Sequence, residues 1–153
     1  MSQLLERTVA AVTGPDGTVR VEALHELVDL PDDHTERSVT EVAELLGVSP
    51  HTLRYYERIG LVHVERDAGG HRVYDAAAVR RLLFLTRMRL SGMGIRDLQQ
   101  YVELVEAGEG TVPERLDMLL EHRDTVRRQI LELQVSLSAI EYKIATYGGS
   151  CGS

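Results

Sequence analysis

Leu116, Leu119, Arg123, Val126, Ile130, Leu133, Leu137, Ile140, Ile144 and Tyr147 follow one another at alternating steps of three and four residues. That is a heptad seam with one polar interruption, Arg123. A helix carrying it over residues 116–147 would run for roughly 48 Å at 1.5 Å per residue. What remains of a 153-residue chain is too small to cover such a length, and no second heptad segment exists to fold back against it. The pattern predicts a homodimeric coiled coil, with these ten positions as its interface. Thr111 and Glu114 have capping-box spacing and Pro113 lies between them, so the coil is expected over residues 111–147. Ala107 to Gly110 reads as a linker, and 148–153 as a flexible tail.

Upstream, the punctuation describes a second kind of unit over residues 38–106. Ser38 and Glu41 form another capping box, Val42, Leu45 and Leu46 an apolar face, and Gly47 a stop. Ser49 then caps a helix that has Pro50 at its first position and Gly60 just past its end. Two short helices around a tight turn predict a helix-turn-helix. The second helix holds His51, Thr52, Arg54, Tyr55, Tyr56 and Arg58, donors suited to base edges and phosphates in a major groove. A purely structural role suits Tyr56, which shares a face with Leu53 and Ile59, but not Arg54, Tyr55 and Arg58 together. Leu61 to Arg66 and His71 to Tyr74, joined by Asp67-Ala68-Gly69-Gly70, predict a hairpin. Arg66, Gly70, His71, Arg72 and Tyr74 would make it a wing beside the recognition helix. Asp75 should cap the next helix, with Val79, Leu82, Leu83 and Met88 inward. Ile95, Leu98, Tyr101, Val102 and Val105 mark one more.

Charge is distributed unevenly. The formal net charge of −7, taken alone, argues against nucleic acid. Yet residues 38–90 carry eight Arg against six acids, whereas residues 1–37 carry three Arg against eight acids. The only basic segment is therefore the one with the helix-turn-helix. The acidic first 37 residues read as an extension: helical spacing from Leu4 to Val12, a turn at Gly14-Pro15-Asp16-Gly17, a strand-like Val19 and Val21, a short helix from Ala23 to Leu30, and a linker at Pro31 to His34. A single Cys151 excludes a disulfide framework and any multi-thiolate metal site in one chain. It is a candidate redox site, set against an inert tail thiol, which the lack of a neighbouring base favours. The six His are dispersed, so no metal or other cofactor is expected. No nucleophilic triad, phosphate loop or paired carboxylates point to an enzyme. No apolar run approaches the roughly 20 residues of a membrane span, and no secretory leader is visible, so a cytoplasmic location is expected.

Thr52-Leu53-Arg54-Tyr55-Tyr56-Glu57-Arg58-Ile59-Gly60-Leu61, followed by Gly70-His71-Arg72-Val73-Tyr74 and then Ser91-Gly92-Met93-Gly94-Ile95, resembles the DNA-binding domain of MerR-family transcription regulators. The resemblance extends over about residues 38–147. It implies a mainly α fold: a winged helix-turn-helix head and an antiparallel coiled coil joining two protomers. It further implies a homodimer on a pseudo-palindromic promoter, bending and untwisting double-stranded DNA so that RNA polymerase can engage it. By resemblance, Thr52, Arg54 and Tyr55 would contact the groove and its backbone, and Arg72 and Tyr74 would hold phosphate from the wing. Three departures matter. His71 replaces the family's usual wing Tyr. The cysteines of the metal-sensing branch are missing. Arg87 stands near the reactive Cys of the thiol- and aldehyde-responsive branch. Two other readings remain: an excisionase-like architectural DNA-bending protein, which would not need the coil, and an adaptor whose acidic arm binds a protein partner.

Overall fold

The computed structural model describes residues 36–148, together with Thr13 and Pro15. Pro15 lies in a turn, as its Gly-Pro-Asp-Gly setting predicts. The remaining expectations for the arm, and Cys151, fall outside the described residues. The architecture is mainly helical, with a helix-turn-helix head and a long C-terminal helix. The described residues fall into two compact units that divide between Gln100 and Tyr101.

In the first unit, α1 (Val39–Leu46) is followed by α2 (Pro50–Arg58), a two-stranded hairpin of β1 (Glu65–Arg66) and β2 (Arg72–Val73), and α3 (Ala76–Leu90). The next helix, α4 (Ile95–Glu106), begins in this unit. The starts of α1, α2 and α3 are each set by a side-chain acceptor that satisfies an orphan helix N–H. Ser38 Oγ accepts from Glu41 N at 3.2 Å, Ser49 Oγ from Thr52 N at 3.1 Å, and Asp75 Oδ1 from Ala78 N at 2.7 Å. α2 ends in paired bonds, Leu61 N to Tyr56 O and Gly60 N to Glu57 O, closed by Gly60 at φ +83°. Only a residue without a Cβ adopts that angle cheaply, so the chain turns sharply here towards the wing.

α1 packs on α2 and α3. Their shared core contains Val42, Leu46, Leu53, Tyr56, Leu61, Val79, Leu82 and Leu85. Two expectations shift. Both strands are shorter than predicted, because only Glu65–Arg66 and Arg72–Val73 form the ladder. Leu83 and Met88 are half-buried, and the inward line of α3 runs instead through Ala78, Val79, Leu82, Leu85 and Thr86. Buried Thr86 returns its hydroxyl to Leu82 O at 2.7 Å, which removes the cost of placing a polar group there.

In the second unit, a 3₁₀ turn (Glu109–Thr111) leads into α5 (Val112–Thr146), 35 residues long. The predicted capping box at Thr111 does not form. Thr111 has backbone angles of φ −97° and ψ 5°, not the extended ones of Ser38, Ser49 and Asp75, and makes no side-chain cap. Its hydroxyl instead faces Leu104 O at 2.5 Å and Gly108 O at 2.8 Å, and accepts from Arg115 Nε at 3.2 Å. The turn is thereby tied back to the end of α4. Along α5 the seam is largely exposed in the single chain, with Ile130 50%, Leu133 70% and Leu137 54% exposed and Leu119 and Val126 half-buried. Leu131, Val135 and Tyr142, outside the seam, are exposed too.

Candidate nucleic-acid interface

Helical periodicity sorts α2 into two sides. Leu53 and Tyr56 enter the core, while His51, Arg54 and Arg58 are exposed and Tyr55 is half-buried. Positions 51, 54, 55 and 58 are spaced i, i+3, i+4 and i+7, so they share one face. Arg58 lies 5.4 Å from the centre of the Tyr55 ring, a cation–π contact that holds both groups extended along the helix. Thr52 is half-buried, and its hydroxyl shares a 3.0 Å hydrogen bond with Ser49 Oγ. Ser49 therefore acts mainly as a cap, which also fixes Thr52 at the leading end of the helix.

Tyr56, expected among the DNA contacts, is only 5% exposed. Its phenol pKa is raised, chiefly by burial. It supports the recognition helix from within, with its ring 6.2 Å from that of Tyr55. Tyr74 is a second correction. The expected phosphate ligand is fully buried, because the main chain of Tyr74 is bridged to Arg37 by bonds of 2.8 and 2.9 Å that carry it inward from the wing. The Tyr74 hydroxyl has no hydrogen-bond partner among the described residues. Burial raises its pKa, and the Glu57 carboxylate adds to the effect. Since no hydrogen bond is lost with the hydroxyl, Tyr74→Phe should melt within about 1 kcal/mol of the parent, or above it. Its DNA affinity should be unchanged. A large loss of affinity in titration would restore the phosphate role.

The wing is built around Asp67. Its Oδ1 accepts from Gly69 N and His71 N, each at 2.9 Å, and lies 3.3 Å from His71 Nδ1. Arg66 Nη1 donates to Gly70 O at 2.9 Å across the turn, and Gly70 takes φ +80°. Gly70 is thus present for the turn it permits. The Asp67 carboxyl is held below its ordinary value, first by the His71 N–H, against an opposing desolvation, with Gly69 N–H and the His71 ring adding. A depressed folded pKa gives a contribution present above 3.8 and lost as pH falls through the lower folded value. The Gly69 and His71 amide shifts should therefore move together with a midpoint below 3.8. Asp67→Ala should abolish that transition in an NMR titration.

Arg72 is only half-exposed. Its Nε donates to Glu57 Oε2 at 2.5 Å, an ion pair that joins the wing to α2. Sequence reading missed Glu57, which lies within the recognition helix but faces away from its polar side. It also missed Gln99, whose Nε2 donates to Ile59 O at 3.2 Å and satisfies the exposed end of α2. Partners 15 and 40 residues apart leave no local signal.

The structure brings Arg54, Arg66, Gly70, His71 and Arg72 around one cleft of about 640 Å³. Its other wall is the start of α1, Arg37 to Thr40, with Glu36 at the edge. His51, Thr52, Tyr55 and Arg58 lie along α2 outside the cleft lining. Four guanidinium groups, against the carboxylates of Glu36 and Asp67 and the Glu57 carboxylate already paired with Arg72, leave the cleft net positive. Arg54 makes no ion pair among the described residues, and so stands ready for an external anion. A groove of this kind, beside an exposed Arg- and Tyr-bearing helix, can hold a phosphate backbone while the helix faces base edges.

The family model for MerR HTH regulatory proteins matches residues 37–104, and that for the MerR DNA-binding region matches residues 79–141. An uncharacterised HTH-type transcriptional regulator of Haemophilus influenzae is 33% identical over 111 residues, covering 72% of this chain and 82% of its own. The chain belongs to the MerR family. The regulator is also 37% identical over 87 residues to the HTH-type transcriptional regulator AdhR of Bacillus subtilis, covering 56% of this chain and 62% of that protein. Among solved structures it is similar to HiNmlR, a MerR family regulator lacking the sensor domain, bound to promoter DNA. That match has a TM-score of 0.71 and 32% identity, over 74% of this chain and 87% of the other. The regulator is thus a DNA-binding transcription regulator of the MerR type. Among its described residues, no helix is long and apolar enough to cross a membrane.

Proposed function

We propose that the regulator works as a homodimer on a pseudo-palindromic promoter operator, with one recognition helix in each of two major-groove half-sites. The observation that carries this reading is the shared face of His51, Arg54, Tyr55 and Arg58, set beside an Arg-lined cleft that reaches the wing. Arg54, with Thr52 and Tyr55, contacts the groove, while Arg66, His71 and Arg72 take phosphate from the wing. The seam from Leu116 to Tyr147 supplies the dimer contact through an antiparallel coil, and its exposure in one chain supports that assignment. By the family's mode of action, the bound dimer bends and untwists the promoter so that RNA polymerase engages both of its elements. An excisionase-like role would leave α5 without a purpose.

Genome-wide footprinting tests the reading, followed by bend analysis on the sites recovered. Protected sites should show dyad symmetry, with half-sites about one or two helical turns apart. They should be bent when bound. Protection of unbent, asymmetric sites by one protomer would overturn the proposal.

A further inference from the structure

The cleft between α1 and the wing lies beside the most acidic stretch of the chain. Residues 16–33 carry Asp16, Glu22, Glu26, Asp29, Asp32 and Asp33 against a single base, Arg20. This stretch joins the described chain at Glu36, itself on the edge of the cleft. We propose that the acidic segment is an intramolecular competitor of DNA: its carboxylates occupy the Arg-lined cleft of Arg54, Arg66 and Arg72, and the operator must displace them.

Three observations support this. The first is charge. The cleft gathers four guanidinium groups, of which Arg72 is already paired through Nε with Glu57, while Arg54 has no ion-pair partner among the described residues. Carboxylate and phosphate present the same acceptor geometry to a guanidinium fork, so a site that takes one takes the other. The second is reach. At no more than about 3.6 Å per residue, the chain between Asp32 and Glu36 spans roughly 14 Å, so Asp32 and Asp33 cannot leave the vicinity of the cleft. The third is position. The cleft is walled by the start of α1, which the segment directly precedes, so it needs no long connection to arrive there.

The consequence is a tax on DNA binding. If the segment fills the cleft nine-tenths of the time, apparent affinity falls about tenfold. Both interactions are ionic and weaken with salt, but DNA binding also carries counterion release along a longer contact. The acidic balance of the whole chain then acquires a role: it limits indiscriminate attachment to DNA without changing the recognition helix.

The proposal rests on the DNA-binding reading of this face, and the test separates the two. In the full chain, Asp16→Asn, Glu22→Gln, Glu26→Gln, Asp29→Asn, Asp32→Asn and Asp33→Asn are combined. Affinity for a short random-sequence duplex is measured by fluorescence anisotropy at low and at physiological salt. The neutralised chain should bind about tenfold tighter at low salt, with the gap narrowing as screening sets in. Equal affinity overturns the competition. Arg54→Ala in the neutralised chain should weaken binding, and failure there overturns the DNA-facing assignment instead. A nitroxide on His25→Cys, in a Cys151→Ser background, reports where the segment goes. It should broaden the Gly69, Gly70 and His71 amides, and lose that effect in the neutralised chain or when duplex is added. Tighter DNA binding without broadening would mean simple long-range repulsion and would overturn the occupancy of the cleft.

Discussion

A chain carrying Ile130→Asp and Leu137→Asp together should sediment as a 17.1-kDa monomer, while the parent sediments as a dimer. Ile130 and Leu137 lie one heptad apart on α5, 50% and 54% exposed in the single chain, so nothing within the protomer covers them fully. In a two-helix coil each substitution appears twice. Four buried apolar side chains, at about 1.5–3 kcal/mol each, are replaced by carboxylates that have no partner there. The dimer should weaken by roughly four orders of magnitude or more. Head stability should be little changed, because both residues lie outside the first compact unit. Operator affinity should fall with the dimer, since two half-sites are then bound without a shared link. A variant that still sediments as a dimer would place the interface elsewhere, and the exposed Leu131, Val135 and Tyr142 would be the next residues to change.

Arg54→Ala should weaken specific operator binding by about 1–3 kcal/mol, roughly fivefold to more than a hundredfold, and leave the dimer intact. Arg54 is exposed on α2 and lines the cleft, so it is placed to reach a base edge or the adjoining phosphate. Truncation there opens no cavity, which keeps the fold out of the result. The two sources of affinity can be told apart. A base contact shows as relaxed preference at one operator position, whereas a phosphate contact lowers the salt slope by about one and affects all sequences alike. Arg58→Ala provides a comparison, because Arg58 is committed to the Tyr55 ring and lies off the cleft. Unchanged operator affinity in Arg54→Ala would remove α2 from the recognition role.

The helix starts were legible because a cap is local: Ser38, Ser49 and Asp75 each satisfy an N–H three residues on. Thr111 shows the limit of that signal. The same spacing is present, but its hydroxyl finds the Leu104 carbonyl seven residues back. The exposed face of α2 was equally readable, since Leu53 and Tyr56 mark its inward side by helical period alone. The wing was harder. His71 and Arg72 were correctly placed on it, yet Tyr74, two residues on, turns into the core through its bridge to Arg37. In so short a hairpin, alternation does not say where the chain leaves the sheet.

By itself, then, the sequence determined the division of the chain: a basic helix-turn-helix read from its caps and its Arg clustering, and a long helix read from a ten-position heptad seam. Both are periodic signals, carried by neighbours within a few residues of one another. The tertiary structure decided which polar groups are available. It buried Tyr56 and Tyr74, tied Arg72 to Glu57, closed α2 with Gln99, and set Arg54 across a cleft from the start of α1. Each of those outcomes depends on a partner distant along the chain. Burial and ion pairing depend on what the fold brings alongside, which no local pattern records.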